Sequence, residues 1–119
     1  RGRLLNIQNY IRIGDYESAL QELQNIEWET PQERMADDTG LLRAKCYVAQ
    51  SELQRAVVLL NRLLNACPTS PKAPEMRLLL MKAYQGLRRK DMMEETYAKM
   101  KKESPYATET ALGATLMNK

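Results

Sequence analysis

Apolar side chains recur at helical spacing along almost the whole chain. Within each run the apolar residues lie three or four positions apart, which places them on one face of an amphipathic helix. No segment shows the alternation of apolar and polar residues that is typical of a strand. The runs cover seven segments: residues 4–11, 19–26, 41–48, 56–64, 76–84, 92–100 and 111–116. The pattern therefore predicts an all-α protein of about seven helices.

The breaks between the runs carry residues that end one helix and begin the next. Gly14 can adopt the left-handed conformation that ends a helix, and Asp15 can cap the helix that follows. Ser51 is the first residue of a predicted capping box, and Asp91 offers the same chemistry one break later. We therefore expect pairs of helices joined by tight turns.

Similar residues return every 37 positions. Seven such ladders stay in register, which indicates an internal repeat. They predict units at about residues 1–30, 31–67 and 68–104, with 105–119 as a terminal capping helix or the start of a further unit. The ladders are Leu4/Leu41/Leu78, Leu5/Leu42/Leu79, Tyr10/Tyr47/Tyr84, Ala19/Ala56/Met93, Leu23/Leu60/Tyr97, Ile26/Leu63/Met100 and Pro31/Pro68/Pro105.

These units resemble the tetratricopeptide repeat, a helix pair with Tyr on helix A, a small residue on helix B and a closing Pro. The resemblance implies tandem antiparallel helix pairs stacked as a right-handed α-solenoid, in which neighbouring units bury one another's apolar faces. The family's usual unit has about 34 residues, whereas the period here is 37. The positions that carry the resemblance are Ile7, Tyr10, Gly14, Asp15, Tyr16, Ala19, Leu23, Ile26 and Pro31, then Ala44, Tyr47, Leu53, Ala56, Leu60, Leu63 and Pro68, then Met81, Tyr84, Met93, Tyr97, Met100 and Pro105.

The resemblance also implies a concave groove, lined by the A helices, that holds a peptide or a partner helix. Lys45 and Lys82 lie one period apart and would form a basic ladder facing a carboxylate, although lysines on an ordinary solvated face give the same pattern. The Leu5, Leu42 and Leu79 ladder fits either an apolar groove or the core. By position, the groove residues are Leu5, Gln8, Arg12, Leu42, Lys45, Val48, Leu79, Lys82 and Gln85.

The composition offers no catalytic centre. The 119 residues include no His, the commonest general base, and the carboxylates form no convincing acid/base pair. The two cysteines, Cys46 and Cys67, are expected to be free thiols rather than a disulfide, and a zinc site would lack ligands. No apolar run approaches the roughly 20 residues that span a bilayer. The sequence therefore predicts no enzyme, no cofactor, no metal and no membrane insertion.

The leading hypothesis is a protein-binding scaffold within a multiprotein assembly. A net charge of +3 is too small, alone, to indicate nucleic acid. Two alternatives stay open: an RNA-binding array that resembles pentatricopeptide repeats, and a regulatory segment of a larger enzyme. Self-association also stays open, and so does the location, which is cytoplasmic or bacterial periplasmic and envelope-associated.

Overall fold

The computed structural model of the chain describes residues 2–29, 37–66 and 68–117. Within these ranges the structure is all helical and contains no strand, which confirms the predicted all-α class of about seven helices. Predictions that concern Pro31, Cys67 and the side chain of Leu4 fall outside the described residues. The seven helices are α1 (Gly2–Ile13), α2 (Tyr16–Glu29), α3 (Asp37–Ala49), α4 (Leu53–Ala66), α5 (Ala73–Gly86), α6 (Lys90–Glu103) and α7 (Thr108–Met117).

The turn between α1 and α2 has the conformation that its sequence predicts. Gly14 is left-handed, with a φ of 87°. Its amide donates to the carbonyl of Ile11 at 3.1 Å, and the Asp15 amide donates to the carbonyl of Tyr10 at 2.8 Å. The Asp15 carboxylate then accepts the Ser18 amide at 3.2 Å and so caps α2. One turn thus satisfies backbone groups at the end of one helix and the start of the next.

The same turn recurs between α3 and α4 and between α5 and α6, in register with the repeat. Ser51 and Arg88 stand in the place of Gly14, with φ values of 62° and 60°. The amide after each of them donates to the carbonyl of a ladder tyrosine, at 2.8 Å to Tyr47 and at 2.9 Å to Tyr84. The tyrosine ladder therefore marks the position where each A helix ends.

The predicted caps at Ser51 and Asp91 are wrong. Ser51 occupies the left-handed position of the turn, so α4 begins two residues later at Leu53. Asp91 lies within the first turn of α6, whose N-cap is Arg89, and its carboxylate accepts a hydrogen bond from the Arg89 side chain at 3.3 Å. At these two turns the place of the capping Asp15 is taken by Glu52 and Arg89.

Two apolar clusters form the core, and α3 contributes to both. Leu42 and Cys46 pack with α1 and α2, whereas Leu41 and Ala44 pack with α4 and α5. Consecutive helices contact each other, and α1, α3, α5 and α7 also contact the next member of that series. Three residues one period apart are fully buried at these contacts: Ile7, Ala44 and Met81.

Helix α5 is the most completely buried helix of the described chain. It contacts α3, α4, α6 and α7, and nine of its 14 residues are buried. Gly113 lets α7 approach closely, because a Cβ there would lie 3.2 Å from both Met81 Sδ and Tyr97 Cδ1. The fold is thus arranged around one helix that is enclosed on most of its faces.

The three equivalent turns predict opposite effects of glycine and alanine. Ser51→Gly and Arg88→Gly should each raise the free energy of unfolding by about 0.5–1 kcal/mol, because a left-handed L-residue is strained and glycine is not. Gly14→Ala should lower it by about 1 kcal/mol through strain alone, since an added Cβ meets nothing within 4 Å. Urea unfolding followed by circular dichroism measures each change.

The matched control is Gln54→Gly, which places glycine in an exposed helical position of α4 and should destabilise by about 0.5–1 kcal/mol. If Ser51→Gly destabilised as much as this control, the left-handed assignment at Ser51 would be wrong.

Candidate functional site

A row of polar side chains follows the fully buried ladder on the A helices. The residue after Ile7, Ala44 and Met81 is in each case polar: Gln8 on α1, Lys45 on α3 and Lys82 on α5. Gln8 and Lys82 are exposed, and Lys45 is about half exposed. We call Gln8, Lys45 and Lys82 the helix-A row. The buried residues Ile7, Ala44 and Met81 and the residues of the helix-A row thus have the same period of 37, and each buried residue directly precedes a member of the row.

The other predicted groove residues divide between surface and core. Arg12 and Gln85 are exposed and Val48 is partly buried. Each lies three or four positions after a member of the helix-A row, so each shares the face of that member. Together with the helix-A row, these residues form one face of each A helix.

The leucine ladder is mostly core. Leu42 packs with α1 and α2, and Leu79 belongs to the larger cluster, so both are buried. Leu5 is 59% exposed, since it lies on the first helix, where no described helix covers its position. Leu42 and Leu79 are therefore core residues rather than groove residues. Without them, the surface beside the helix-A row is not the apolar groove that the first alternative predicts.

An ion pair connects two A helices beside this row. Lys45 Nζ on α3 lies 3.1 Å from Glu75 Oε2 on α5, with both side chains partly exposed. A pair of this kind is worth about 0–1 kcal/mol, because water screens the charges. An incoming carboxylate could therefore replace Glu75 at little cost. Lys82 makes no ion pair with any residue that the structure describes.

A second feature is a groove of about 380 Å³ between α4 and α6. Its floor is α5, which contributes Arg77, Leu80 and Tyr84. This groove could not be predicted from the sequence, because Arg77 lies within an apolar run and its partner Glu103 lies on another helix. The remaining lining residues are Asn61, Leu64, Asn65 and Pro68 on one side and Met92, Glu95, Thr96, Lys99, Lys102 and Glu103 on the other.

Arg77 is the charged group at the base of this groove. Only 8% of its side chain is exposed, and its Nη2 lies 2.7 Å from the Glu103 carboxylate at the end of α6. Nearby, Asn61 Nδ2 donates to the Tyr84 hydroxyl at 3.4 Å. A buried guanidinium requires an anion, because the loss of hydration is otherwise uncompensated.

Two sites have shifted acidities. Cys46 is a free, fully buried thiol, and burial raises its pKa to about 11 against a smaller opposing effect of the Arg43 charge. At the surface, the hydrogen bond from the Arg89 side chain lowers the pKa of Asp91. The Cys46 thiol is therefore neutral and poorly nucleophilic at physiological pH, and we assign it to packing.

No protein-family model matches the chain, and a search of the curated proteins found no match. Across residues 2–29, 37–66 and 68–117, no group of three or more metal-ligating side chains comes together. None of the helices described there is long and apolar enough to cross a membrane. Function therefore has to be inferred from the helix-A row and from the groove between α4 and α6.

The buried thiol predicts a specific loss of stability at alkaline pH. The unfolded thiol has the ordinary pKa of 9.0, whereas the folded thiol has a pKa of about 11. Between these values only the unfolded state releases the proton, so stability is full below pH 9 and falls as pH rises toward 11. We expect this group to contribute a loss of about 2 kcal/mol over that range.

Urea unfolding of the wild type and of Cys46→Ala at pH 8, 9 and 10 isolates the contribution, because every other titrating group is common to both proteins. The stability difference between wild type and variant should shrink as pH rises. A difference that stays constant from pH 8 to pH 10 would contradict the prediction.

Proposed function

We propose that the chain is a non-catalytic interaction module that binds a segment of another protein across the helix-A row. The observation that carries this proposal is the repeated pattern of burial on the A helices. At one position of the period all three side chains are fully buried, and at the next position the polar side chains reach solvent. Such a row is an extended surface with regularly spaced contacts, which suits an elongated partner.

The proposal includes the arrangement of the units. We propose that the helix pairs stack as a right-handed α-solenoid of the tetratricopeptide type. The contacts among α1, α3, α5 and α7 support it, because A helices of successive units adjoin one another in such a stack. The Lys45–Glu75 pair between α3 and α5 supports the same order.

The partner that fits this row carries carboxylates. Lys45, Lys82 and Arg12 supply three positive charges along the A helices, and Gln8 and Gln85 supply uncharged hydrogen-bonding groups. A partner peptide or helix with acidic residues could compete with Glu75 for Lys45 and pair directly with Lys82. Complementary charges of this kind set the specificity and the rate of association more than the affinity.

A charge-reversal double variant tests the proposal. Lys45→Glu with Lys82→Glu should reduce recovery of the bound proteins about tenfold, since two attractive contacts become repulsive. The matched control is Arg55→Glu with Arg62→Glu, which reverses two exposed charges on α4, away from the row. Each protein is expressed in full in its own cells, crosslinked and purified, and the bound proteins are quantified by mass spectrometry.

The control variant should recover the same proteins as the wild type. Circular dichroism should show unchanged helix content in both double variants. Equal recovery by the wild type and by the Lys45/Lys82 variant would overturn the assignment of the partner site to the helix-A row.

A further inference from the structure

We propose that the groove between α4 and α6 binds a carboxylate side chain of an extended acidic peptide, with Arg77 as the anchoring residue. This second site is separate from the helix-A row, because none of the three residues of that row lines the groove. It therefore does not depend on the function proposed above. Its physical basis is a buried cation whose hydrogen-bonding capacity exceeds what the protein supplies.

Arg77 lines the groove, and it has hydrogen-bond donors that Glu103 does not occupy. A guanidinium has five N–H groups, and Glu103 is the one ion-pair partner of Arg77 among the described residues. In that part of the chain, no buried side-chain nitrogen or oxygen lacks a hydrogen-bond partner. Because Arg77 lines the groove, a ligand there can accept from the N–H groups that Glu103 does not occupy.

The walls of the groove provide groups that hold a peptide backbone. Asn61 and Asn65 lie four positions apart on α4, so they share one face of that helix, and both line the groove. Side-chain amides can donate to a peptide carbonyl and accept from a peptide amide. Leu64, Leu80 and Met92 offer apolar contacts beside them. This combination fits an acidic residue with an apolar neighbour.

The charge balance favours a carboxylate over a phosphate. Three cations, Arg77, Lys99 and Lys102, and two carboxylates, Glu95 and Glu103, line the groove, which leaves a net charge of +1. A single carboxylate neutralises this charge, whereas a phosphate dianion would exceed it and be repelled by the two glutamates. The planar fork of arginine matches a carboxylate geometrically.

Glu103 occupies the place that the ligand would take. It is the last residue of α6, and its side chain is 48% exposed, so it can turn to solvent when another carboxylate arrives. The ligand thus competes with an internal anion. Removing the charge of Glu103 should therefore strengthen binding of the ligand. If Glu103 were only a structural partner of Arg77, the same change would weaken the fold and would not strengthen binding.

The experiment is an NMR titration of the uniformly ¹⁵N-labelled full chain. The probe is the peptide acetyl-Ala-Glu-Leu-Ala-amide, and the matched control replaces its Glu with Gln. We expect the Glu peptide to shift the side-chain resonances of Arg77, Asn61 and Asn65, and the Gln peptide to bind at least tenfold more weakly. Absence of these shifts at millimolar Glu peptide would overturn the proposal.

Three variants make the outcome specific. Glu103→Gln should tighten binding of the Glu peptide severalfold, and Lys99→Gln should weaken it severalfold. Lys99 is exposed, so Lys99→Gln should keep the fold and keeps the test valid if Glu103→Gln, which removes the partner of Arg77, lowers the helix content measured by circular dichroism. The Lys45→Glu, Lys82→Glu double variant should bind the peptide as the wild type does. Weaker binding of the Glu peptide by Glu103→Gln would mean that Glu103 maintains the shape of the groove. It would overturn the proposal that the ligand competes with Glu103 for Arg77.

Two further probes distinguish the source of the anion. Glutarate carries carboxylates without a peptide backbone and should bind at least tenfold more weakly than the Glu peptide. Inorganic phosphate should bind more weakly still. Glutarate affinity equal to that of the peptide would overturn the peptide assignment, and tighter binding of phosphate would overturn the choice of a carboxylate.

Discussion

The enclosure of α5 is the constraint on which the rest of the structure depends. Its apolar residues point in most directions, so no single partner helix could cover them, and α3, α4, α6 and α7 together do. A helix that is apolar on most faces is stable in water only when surrounded. The repeat meets this need because each unit supplies apolar side chains to the unit after it. Helix α3 has the same double role, with Leu42 facing one cluster and Leu41 the other.

Arg77 is the exception within α5, and it determines the character of the groove. A charge buried in an otherwise apolar helix costs several kcal/mol unless an anion lies close by. The end of α6 supplies that anion as Glu103, 2.7 Å away. One carboxylate does not satisfy a whole guanidinium, and the groove that Arg77 lines also contains polar side chains such as Asn61 and Asn65. The same helix that requires apolar neighbours on its other faces thus requires hydrogen-bond acceptors on this one.

Much of the fold could be predicted from the sequence, because helices and repeats follow from local periodicity. The Gly14–Asp15 turn could be predicted as well, since both residue types favour its conformation. Ser51 and Arg88 could not be assigned to the same turn by residue type; their register, 37 and 74 positions after Gly14, was the available signal. The leucine ladder shows a different limit: Leu5 and Leu42 are equivalent in sequence, but among the described helices a preceding helix pair covers Leu42 and none covers Leu5. The α4–α6 groove could not be predicted, because it joins residues from three helices.

The two candidate surfaces are related through the geometry of α5. Arg77 and Lys82 are five residues apart, which is about 140° around a helix, so they project to different sides of the same element. Arg77 is fixed by burial, and Lys82 stands next to the fully buried Met81. Because α5 is held by four other helices, it cannot rotate to bring one surface forward at the expense of the other. A partner bound to the helix-A row and a carboxylate bound to Arg77, as proposed above, would therefore occupy separate positions on one rigid helix, and each surface would retain its own charge and specificity.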